Sequence, residues 1–359
     1  MTNRKISQSN NVIDLRSDSI TQPTSSMRKA MSEAVVGDDV FKEDPTVIDL
    51  ECSVANLLGK EAGIFLPSGT MANLVSVLSH CQHGDEVLVG ERSHIFESEQ
   101  AGSSVFAGVK LHNLPNQANG SINIDVVLRA IEKWDIYNQR TRLLVLENTH
   151  SRAGGSVLPL SYLEELKKLK SQQLKLHLDG ARLWHASIAL DAPLASLVTA
   201  FDSVVVALSK GLAAPAGSIL CGNLDFVHSA RRWRKALGGG MRQVGVLAAA
   251  GLVAIKDMVM RLHEDHENAG IMAKQLSGLP GILLSSDRIE TNIVHFKILN
   301  NFLNQQQFLE SLRRRSILIS EIGPKEFRLV THYQFQKSQI PSVVNGIFEA
   351  LCAQNIRTA

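Results

Sequence analysis

Short apolar segments alternate with amphipathic ones along most of the chain. The runs 62–66, 142–146 and 204–208 predict strands, and 204–208 is apolar enough to predict a strand that is buried on both faces of a sheet. The segments 69–78 and 162–170 have the spacing of amphipathic helices. This alternation predicts an α/β fold in which a mostly parallel sheet carries helices on both faces.

The pattern changes near the end of the chain. Before that change, 217–221 predicts one more strand, which we expect to be antiparallel because the loop before it is short. After Gly281, short strands and helices follow in mixed order, which predicts a smaller α+β domain. We therefore predict a large domain at 12–255, whose segment 12–30 packs near the ligand site or the small domain. The small domain is predicted at 256–359, and the polar residues 1–11 predict a disordered tail.

Composition narrows the class of protein without defining its activity. The chain has 359 residues, 44% of them hydrophobic, and a net charge of +2, which gives no electrostatic reason to expect nucleic acid or a charged membrane as a partner. The longest apolar run, 244–255, is too short to span a bilayer, and the sequence opens without a hydrophobic signal region. The cysteines lie far apart without a CxxC pair, so we predict a cytoplasmic protein with reduced thiols and no metal ligands.

A lysine and an aspartate stand at the ends of two successive apolar segments. Lys210 follows 204–208, and Asp179 follows 174–178. An ammonium group is costly to bury unless it is paired or neutral, and a lysine in such a place can form a Schiff base with a carbonyl. Pyridoxal phosphate needs such a lysine together with a carboxylate that keeps a proton on its pyridine nitrogen. The two residues therefore predict a pyridoxal phosphate site.

A phosphate group needs backbone N–H donors and positive charge. Ser68, Gly69 and Thr70 stand at a predicted helix start and offer N–H groups and hydroxyls. A helix dipole contributes only about 0.3–1 kcal/mol, so a dianion needs a further cation, for which Arg242 is the candidate. Taken singly, these residues and His150 have ordinary explanations as turns, helix caps or structural histidines. Their order along the chain and their places at strand ends favour a common site.

A series of motifs then matches one family in its order along the chain. The motifs are DLRSD (14–18), GDDV (37–40), FLPSGT (65–70), ENTH (147–150), DGAR (179–182), LSKGL (208–212), GGGMRQ (238–243), HEDHEN (263–268) and RLVTH (328–332). On these motifs the chain resembles the low-specificity L-threonine aldolases, which are pyridoxal phosphate enzymes of the aspartate aminotransferase fold type I. The resemblance implies a mostly parallel seven-stranded sheet flanked by helices, plus a smaller α+β C-terminal domain.

The resemblance also implies roles for the candidate residues. Lys210 would carry the cofactor as a Schiff base, Asp179 would pair with the pyridinium nitrogen, and His94 would stack on the cofactor ring. The other implied cofactor contacts are Ser68, Gly69, Thr70, Arg182 and, from a neighbouring subunit, Arg242. The implied substrate contacts are His94 and His150, with Arg182, Ser17 and Arg328 at the substrate carboxylate.

The implied reaction cleaves L-threonine or L-allo-threonine to glycine and acetaldehyde, and other β-hydroxy-α-amino acids are further candidate substrates. A base removes the β-hydroxyl proton before the Cα–Cβ bond breaks, and the hypothetical base is His150 or His94, acting directly or through a water. Family members commonly form tetramers, so we expect a homo-oligomer, with a tetramer favoured over a dimer. The preference for one configuration at Cβ stays open.

Rival activities remain open. A β-eliminating lyase of the same fold would release ammonia and a keto acid instead of glycine. A nicotinamide-dependent oxidoreductase would need a G-x-G-x-x-G turn, which we do not find in the sequence, and a non-catalytic relative would not need both Lys210 and Asp179. The chain also departs from the family's usual Tyr-Gly at Phe41 and Lys42, a change that bears on side-chain preference or a subunit contact rather than on the cofactor.

Overall fold

The computed structural model describes residues 12–131, 135–286, 288–299 and 304–355. The predicted tail at 1–11 lies outside these described residues. Internal contacts divide the chain into two compact units, one that spans 21–263 and one that combines the described residues of 1–20 with those of 264–359. The sequence-based domain division at 255/256 stays a prediction.

The strands alternate with helices through the longer unit. In chain order the strands are β1 (Ile13–Asp14), β2 (Ala62–Leu66), β3 (Glu86–Gly90), β4 (Lys110–Leu114), β5 (Thr141–Glu147), β6 (Lys175–Gly180), β7 (Ser203–Ala207), β8 (Ser218–Gly222), β9 (Ile282–Leu284), β10 (Ile293–Ile298), β11 (Ile317–Leu318), β12 (Ser320–Gly323) and β13 (Glu326–Val330). The α-helices are α1 (Ser25–Ser32), α2 (Pro45–Leu57), α3 (Gly69–His80), α4 (His94–Glu97), α5 (Gly102–Ala107), α6 (Ile124–Ala130), α7 (Leu160–Glu165), α8 (Leu183–Leu190), α9 (Leu194–Leu197), α10 (Leu224–Ala236), α11 (Gly245–Val253), α12 (Leu262–Leu276), α13 (Gln305–Arg314) and α14 (Ile340–Asn355).

A seven-stranded sheet forms the centre of the 21–263 unit, with the strand order β2-β8-β7-β6-β5-β3-β4. The pairs within β7-β6-β5-β3-β4 are all parallel. Strand β8 runs antiparallel to both of its neighbours, β2 and β7. The mostly parallel seven-stranded sheet and the antiparallel direction of β8 are thus confirmed.

Helices cover both faces of this sheet. Ile64 and Leu66 of β2 pack with Ala72 and Val75 of α3 on one face. A Cβ on Gly63 would meet the Glu51 carbonyl of α2 at 2.9 Å, so α2 lies against the opposite face. Side chains that are buried on both sides explain why these strands read as continuous apolar runs.

One glycine allows the two central strands to fit together. Gly180 ends β6 beside β7, where a Cβ would stand 2.5 Å from the carbonyl oxygen of Val205. A larger residue cannot occupy that place without displacing backbone. Gly180 therefore lets β6 lie close against β7 at the position after Asp179.

The second unit has a core of its own. Four antiparallel strands in the order β12-β13-β10-β9 form its larger sheet, and β1 pairs in parallel with β11. Phe327 stacks on Phe296 at 5.5 Å and meets Phe308 of α13 at 5.0 Å between ring centroids. In the described part of the chain, every helix is too short or too polar to cross a bilayer.

Candidate active site

Polar side chains lie at the carboxyl ends of three adjacent parallel strands. Glu147 ends β5 and is the register partner of Asp179 on β6. Lys210 follows β7, whose Val205 is the register partner of Asp179. In an open α/β sheet, ligands bind in the crevice beyond this edge. The structure thus places the predicted lysine and aspartate at the same edge of one sheet.

Asp179 is buried and remains ionised. Its Oδ2 accepts from Asn73 Nδ2 at 2.9 Å, and its Oδ1 accepts from the Ala181 N–H at 3.1 Å. Burial alone would raise the pKa of this carboxyl, but the charges of His94 and Lys210 and the Asn73 hydrogen bond hold it below its ordinary value. A carboxylate of this kind suits a partner for a protonated pyridine nitrogen.

His94 opens α4 and is paired with a carboxylate that the sequence did not single out. Its Nδ1 lies 2.8 Å from Oε1 of Glu99, which is 6% exposed. This hydrogen bond raises the pKa of His94 against the effect of burial. Burial raises the pKa of Glu99, and the hydrogen bond from His94 opposes that change.

Glu147 joins the two loops that carry the candidate histidines. Its Oε2 accepts from the backbone N–H of His94 at 2.9 Å, and its Oε1 accepts from the N–H of Ser151 at 2.8 Å. These charge-assisted bonds hold the start of α4 and the turn after His150 against the end of β5. Glu147 belongs to the predicted ENTH motif, but its anchoring role was not predicted.

His150 is buried and has a defined tautomer. Its Nδ1 accepts from the Ala153 N–H at 3.2 Å, so its ring proton is on Nε2. Among the described residues, Nε2 has no hydrogen-bond partner although it is buried. Burial lowers the pKa of His150, so the ring is neutral and presents an N–H donor.

The predicted phosphate segment caps α3. Ser68 Oγ accepts from the Met71 N–H at 3.1 Å, and Gly69 begins the helix. A Cβ on Gly69 would meet only Ser218 Oγ, at 3.7 Å, so the backbone leaves room for a close anion. The Ser218 hydroxyl is buried and has no partner within the described residues. The donors and the space at this helix start therefore fit a phosphate group.

For three other predicted residues, Arg182, Lys210 and Arg242, the structure shows contacts that do not involve the predicted ligand groups. Arg182 is buried at the start of α8, and the Lys210 carbonyl accepts from Thr21 Oγ1 at 3.1 Å. Arg242 is 56% exposed and pairs with Asp38 of its own chain at 2.6 Å. None of these contacts tests the predicted roles.

Ser17 and Arg328 belong to the other unit. Arg328 Nη2 donates to the Arg16 carbonyl at 3.1 Å, which brings its guanidinium beside the residue that precedes Ser17. The Ser17 hydroxyl lies 2.8 Å from Ser19 Oγ. The structure thus brings Ser17 and Arg328 near each other within this unit, and their carboxylate-binding role stays a prediction.

Three side chains in the described residues could also satisfy the distances of a metal site. Ligand atoms of His94, Glu99 and Asp179 lie within 4.8 Å of one another. Asn73 Nδ2, however, donates to both carboxylates, at 2.8 and 2.9 Å, and a donor aimed at those oxygens competes with a cation. The arrangement fits a hydrogen-bonded ion pair of His94 and Glu99.

Comparison with known proteins agrees with this geometry. Residues 14–299 match the family model described as beta-eliminating lyase. The chain is 43% identical to a low specificity L-threonine aldolase of Escherichia coli K12 over 92% of this chain and 97% of that protein. It is 42% identical to low-specificity L-threonine aldolase 1 of Arabidopsis thaliana, with coverage of 94% and 96%. A solved threonine aldolase structure from Leishmania major has a TM-score of 0.81 at 19% identity and covers 94% of this chain and 99% of that one.

The seven-stranded sheet has the fold of type I pyridoxal phosphate enzymes, and the matched relatives and family model make the protein a lyase of that class. The extent of the sequence similarity then specifies the group. The chain belongs to the low-specificity L-threonine aldolase family.

Proposed function

We propose that this protein uses pyridoxal phosphate to cleave L-threonine and L-allo-threonine into glycine and acetaldehyde. Other β-hydroxy-α-amino acids are further substrates, because one methylene in a pocket changes selectivity only about 10–200-fold. The observation that carries the proposal is the buried, ionised Asp179 beside the strand that leads to Lys210. Family membership supports the same activity.

The residues at the sheet edge suit each part of the cofactor. Lys210 supplies the amine that joins it, and Asp179 holds a proton on the pyridine nitrogen. Gly69 and Thr70 supply N–H groups to the phosphate, and Ser218 supplies a buried hydroxyl. When bound, pyridoxal phosphate stabilises the negative charge that develops at Cα.

A carboxylate and a β-hydroxyl are the substrate groups that this chain must hold. Arg182, Ser17 and Arg328 are the proposed carboxylate ligands, since a guanidinium can pair with two oxygens at once. The proton of the β-hydroxyl leaves as the Cα–Cβ bond breaks and acetaldehyde departs. His94 is the better placed base, because a proton on Nδ1 leaves the lone pair of Nε2 free. His150 presents Nε2–H, which suits a donor to the hydroxyl oxygen.

A second candidate function is β-elimination. The matched family model over 14–299 carries that description, and the same lysine and aspartate would serve it. The two reactions differ in their products, since elimination releases ammonia and a keto acid while aldol cleavage releases glycine.

The first test follows products from the purified protein loaded with pyridoxal phosphate. With L-threonine and L-allo-threonine supplied separately, we expect glycine and acetaldehyde in equal amounts. Ammonia with a keto acid would select the second candidate, and no product from either substrate would contradict the first.

A matched pair of lysine variants tests the cofactor assignment. Lys210→Ala should lose the visible absorption band of lysine-bound cofactor and all turnover, because no amine remains to join it. Lys29→Ala, which removes an exposed amine on α1, should keep both. A persistent band in Lys210→Ala would show that another amine holds the cofactor.

A further inference from the structure

Helix α3 carries a polar stripe into the core. Asn73, Ser76 and His80 follow one another at helical spacing, and Asn73 and Ser76 are 1% and 0% exposed. An unpaired polar group is costly to bury, so these side chains should have hydrogen-bond partners. Their partners lie on β6 and β7, and Asn73 has a further partner in Glu99.

A continuous chain of hydrogen bonds links this stripe to the sheet. His80 Nε2 lies 2.7 Å from Ser203 Oγ, which lies 2.8 Å from Nδ1 of His177. His177 Nε2 lies 3.2 Å from Oδ1 of Asn73. The chain runs along the inner side of α3 and ends at the carboxylates of the candidate active site.

The protons in this chain have one consistent direction. Asn73 Oδ1 can only accept, so His177 must donate from Nε2. Burial lowers the pKa of His177 to about 4, so the ring is neutral and its Nδ1 accepts from Ser203. The Ser203 hydroxyl has then given its single proton and accepts from His80, whose pKa burial lowers to about 3. Each of these three hydrogen bonds therefore has one defined donor and one defined acceptor.

The fixed amide of Asn73 joins two carboxylates. Its Nδ2 donates to Glu99 Oε1 at 2.8 Å and to Asp179 Oδ2 at 2.9 Å. Two carboxylates this close would repel each other without the shared donor. Glu99 Oε1 also accepts from Nδ1 of His94, so the chain ends on the histidine that we assign as base.

The backbone after Glu99 is strained. Gln100 and Ala101 both adopt left-handed conformations with φ of 54°. This conformation is unfavourable for a residue other than glycine, and such strain concentrates at functional sites. This tight turn directly follows the buried carboxylate of Glu99.

We propose that Glu99, Asn73 and His177 are positioning residues that keep the ring proton of His94 on Nδ1 and leave its Nε2 lone pair for the substrate proton. This inference rests on the proposed function, because His94 needs a substrate proton to accept. It assigns a role to three residues that have no predicted contact with substrate.

The decisive measurement is the tautomer of His94. Nitrogen-15 NMR of the holoenzyme, at a pH where His94 is neutral, reports which ring nitrogen carries the proton, and His94→Phe identifies the resonance. We expect Nδ1–H in the wild type and predominantly Nε2–H in Glu99→Leu. Turnover of Glu99→Leu should fall about 10²–10⁴-fold, the usual contribution of a general base, while the cofactor band persists.

Conservative variants distinguish a positioning role of Glu99 and His177 from a general packing role. Glu99→Gln keeps an acceptor for Nδ1 but loses its charge, so the tautomer should stay while the acid limb of the kcat/KM profile moves to lower pH. His177→Gln keeps a donor to Asn73 and should preserve the Nδ1–H form, whereas His177→Leu should increase the Nε2–H fraction. Ser76→Ala removes a buried hydroxyl 3.2 Å from Ser203 Oγ and should leave the His94 tautomer unchanged.

Two outcomes would overturn the inference. One is an unchanged His94 tautomer in Glu99→Leu, even if that variant is less stable. The other is an equal shift in Ser76→Ala, which would indicate a general packing effect. Since the NMR readout does not depend on turnover, a wild-type protein that shows Nδ1–H but makes no glycine would contradict the proposed function alone.

Discussion

The two histidines of the candidate site carry their ring protons on different nitrogens, because their hydrogen-bond partners differ. His94 faces a carboxylate through Nδ1, and His150 accepts a backbone N–H through the same atom. The sequence predicted both residues but left the base open, since tautomers depend on neighbours that lie far away along the chain. We therefore propose that His94 accepts the substrate proton and that His150 donates a hydrogen bond.

Replacement of His150 tests this division of roles. His150→Phe should lower kcat/KM for L-threonine roughly 2- to 13-fold, the equivalent of one neutral hydrogen bond of 0.5–1.5 kcal/mol, without moving the acid limb of the pH profile. That limb should lie above 6.5, the ordinary histidine pKa, because Glu99 raises the pKa of His94 and the base must be deprotonated. His150→Gln, which keeps an N–H donor, should retain more activity. An acid limb that disappears in His150→Phe but stays in His94→Phe would reverse the assignment.

At the scale of elements, helix α3 shows what a pattern can and cannot predict. The apolar spacing predicted a helix at 69–78, and the observed helix is Gly69–His80. Asn73 within it gave no recognisable motif, because its carboxylate partners are 26 and 106 positions away. Glu99 and Ser218 were not predicted for the same reason, because their neighbours in the site lie far away along the chain. For Asn73 the sequence does contain a hint, since a polar residue inside an apolar helix often has a buried hydrogen-bond partner.

Strand β8 brings another unpredicted residue to the site. Because β8 is antiparallel, its first residue, Ser218, lies at the edge where the parallel strands end, beside Gly69. Ser218→Ala should weaken pyridoxal phosphate binding about 10-fold or more, since a hydrogen bond to a charged group contributes about 1.5–3 kcal/mol. Equilibrium titration of the apoenzyme measures this effect, and unphosphorylated pyridoxal provides the control. An equal loss for both ligands would place Ser218 away from the phosphate.

At the scale of the whole molecule, local apolar patterns predicted a mostly parallel sheet because buried parallel strands have distinctive sequences. The family resemblance implied that the sheet has seven strands. Assembly is harder to predict, since a subunit contact needs only a few surface residues. Arg242 illustrates this: it pairs with Asp38, and its guanidinium lies 5.9 Å from the ring centroid of Phe41. Phe41 is one of the positions at which the sequence departs from the family motifs. This departure therefore lies beside Arg242, which we propose binds the phosphate of a neighbouring subunit.

Mixed oligomers test whether Arg242 serves a neighbour's phosphate. Lys210→Ala and Arg242→Ala each remove one part of the proposed site, so each homo-oligomer should have little activity. If the two residues of one site come from different subunits, each mixed pair contains one site with both residues intact. Random mixing of equal amounts, after reversible dissociation, should then restore about a quarter of the wild-type activity, because half of the pairs are mixed and half of their sites are intact. If Arg242 acts on its own chain, no mixed pair has an intact site, and activity should stay at the mean of the two parent variants.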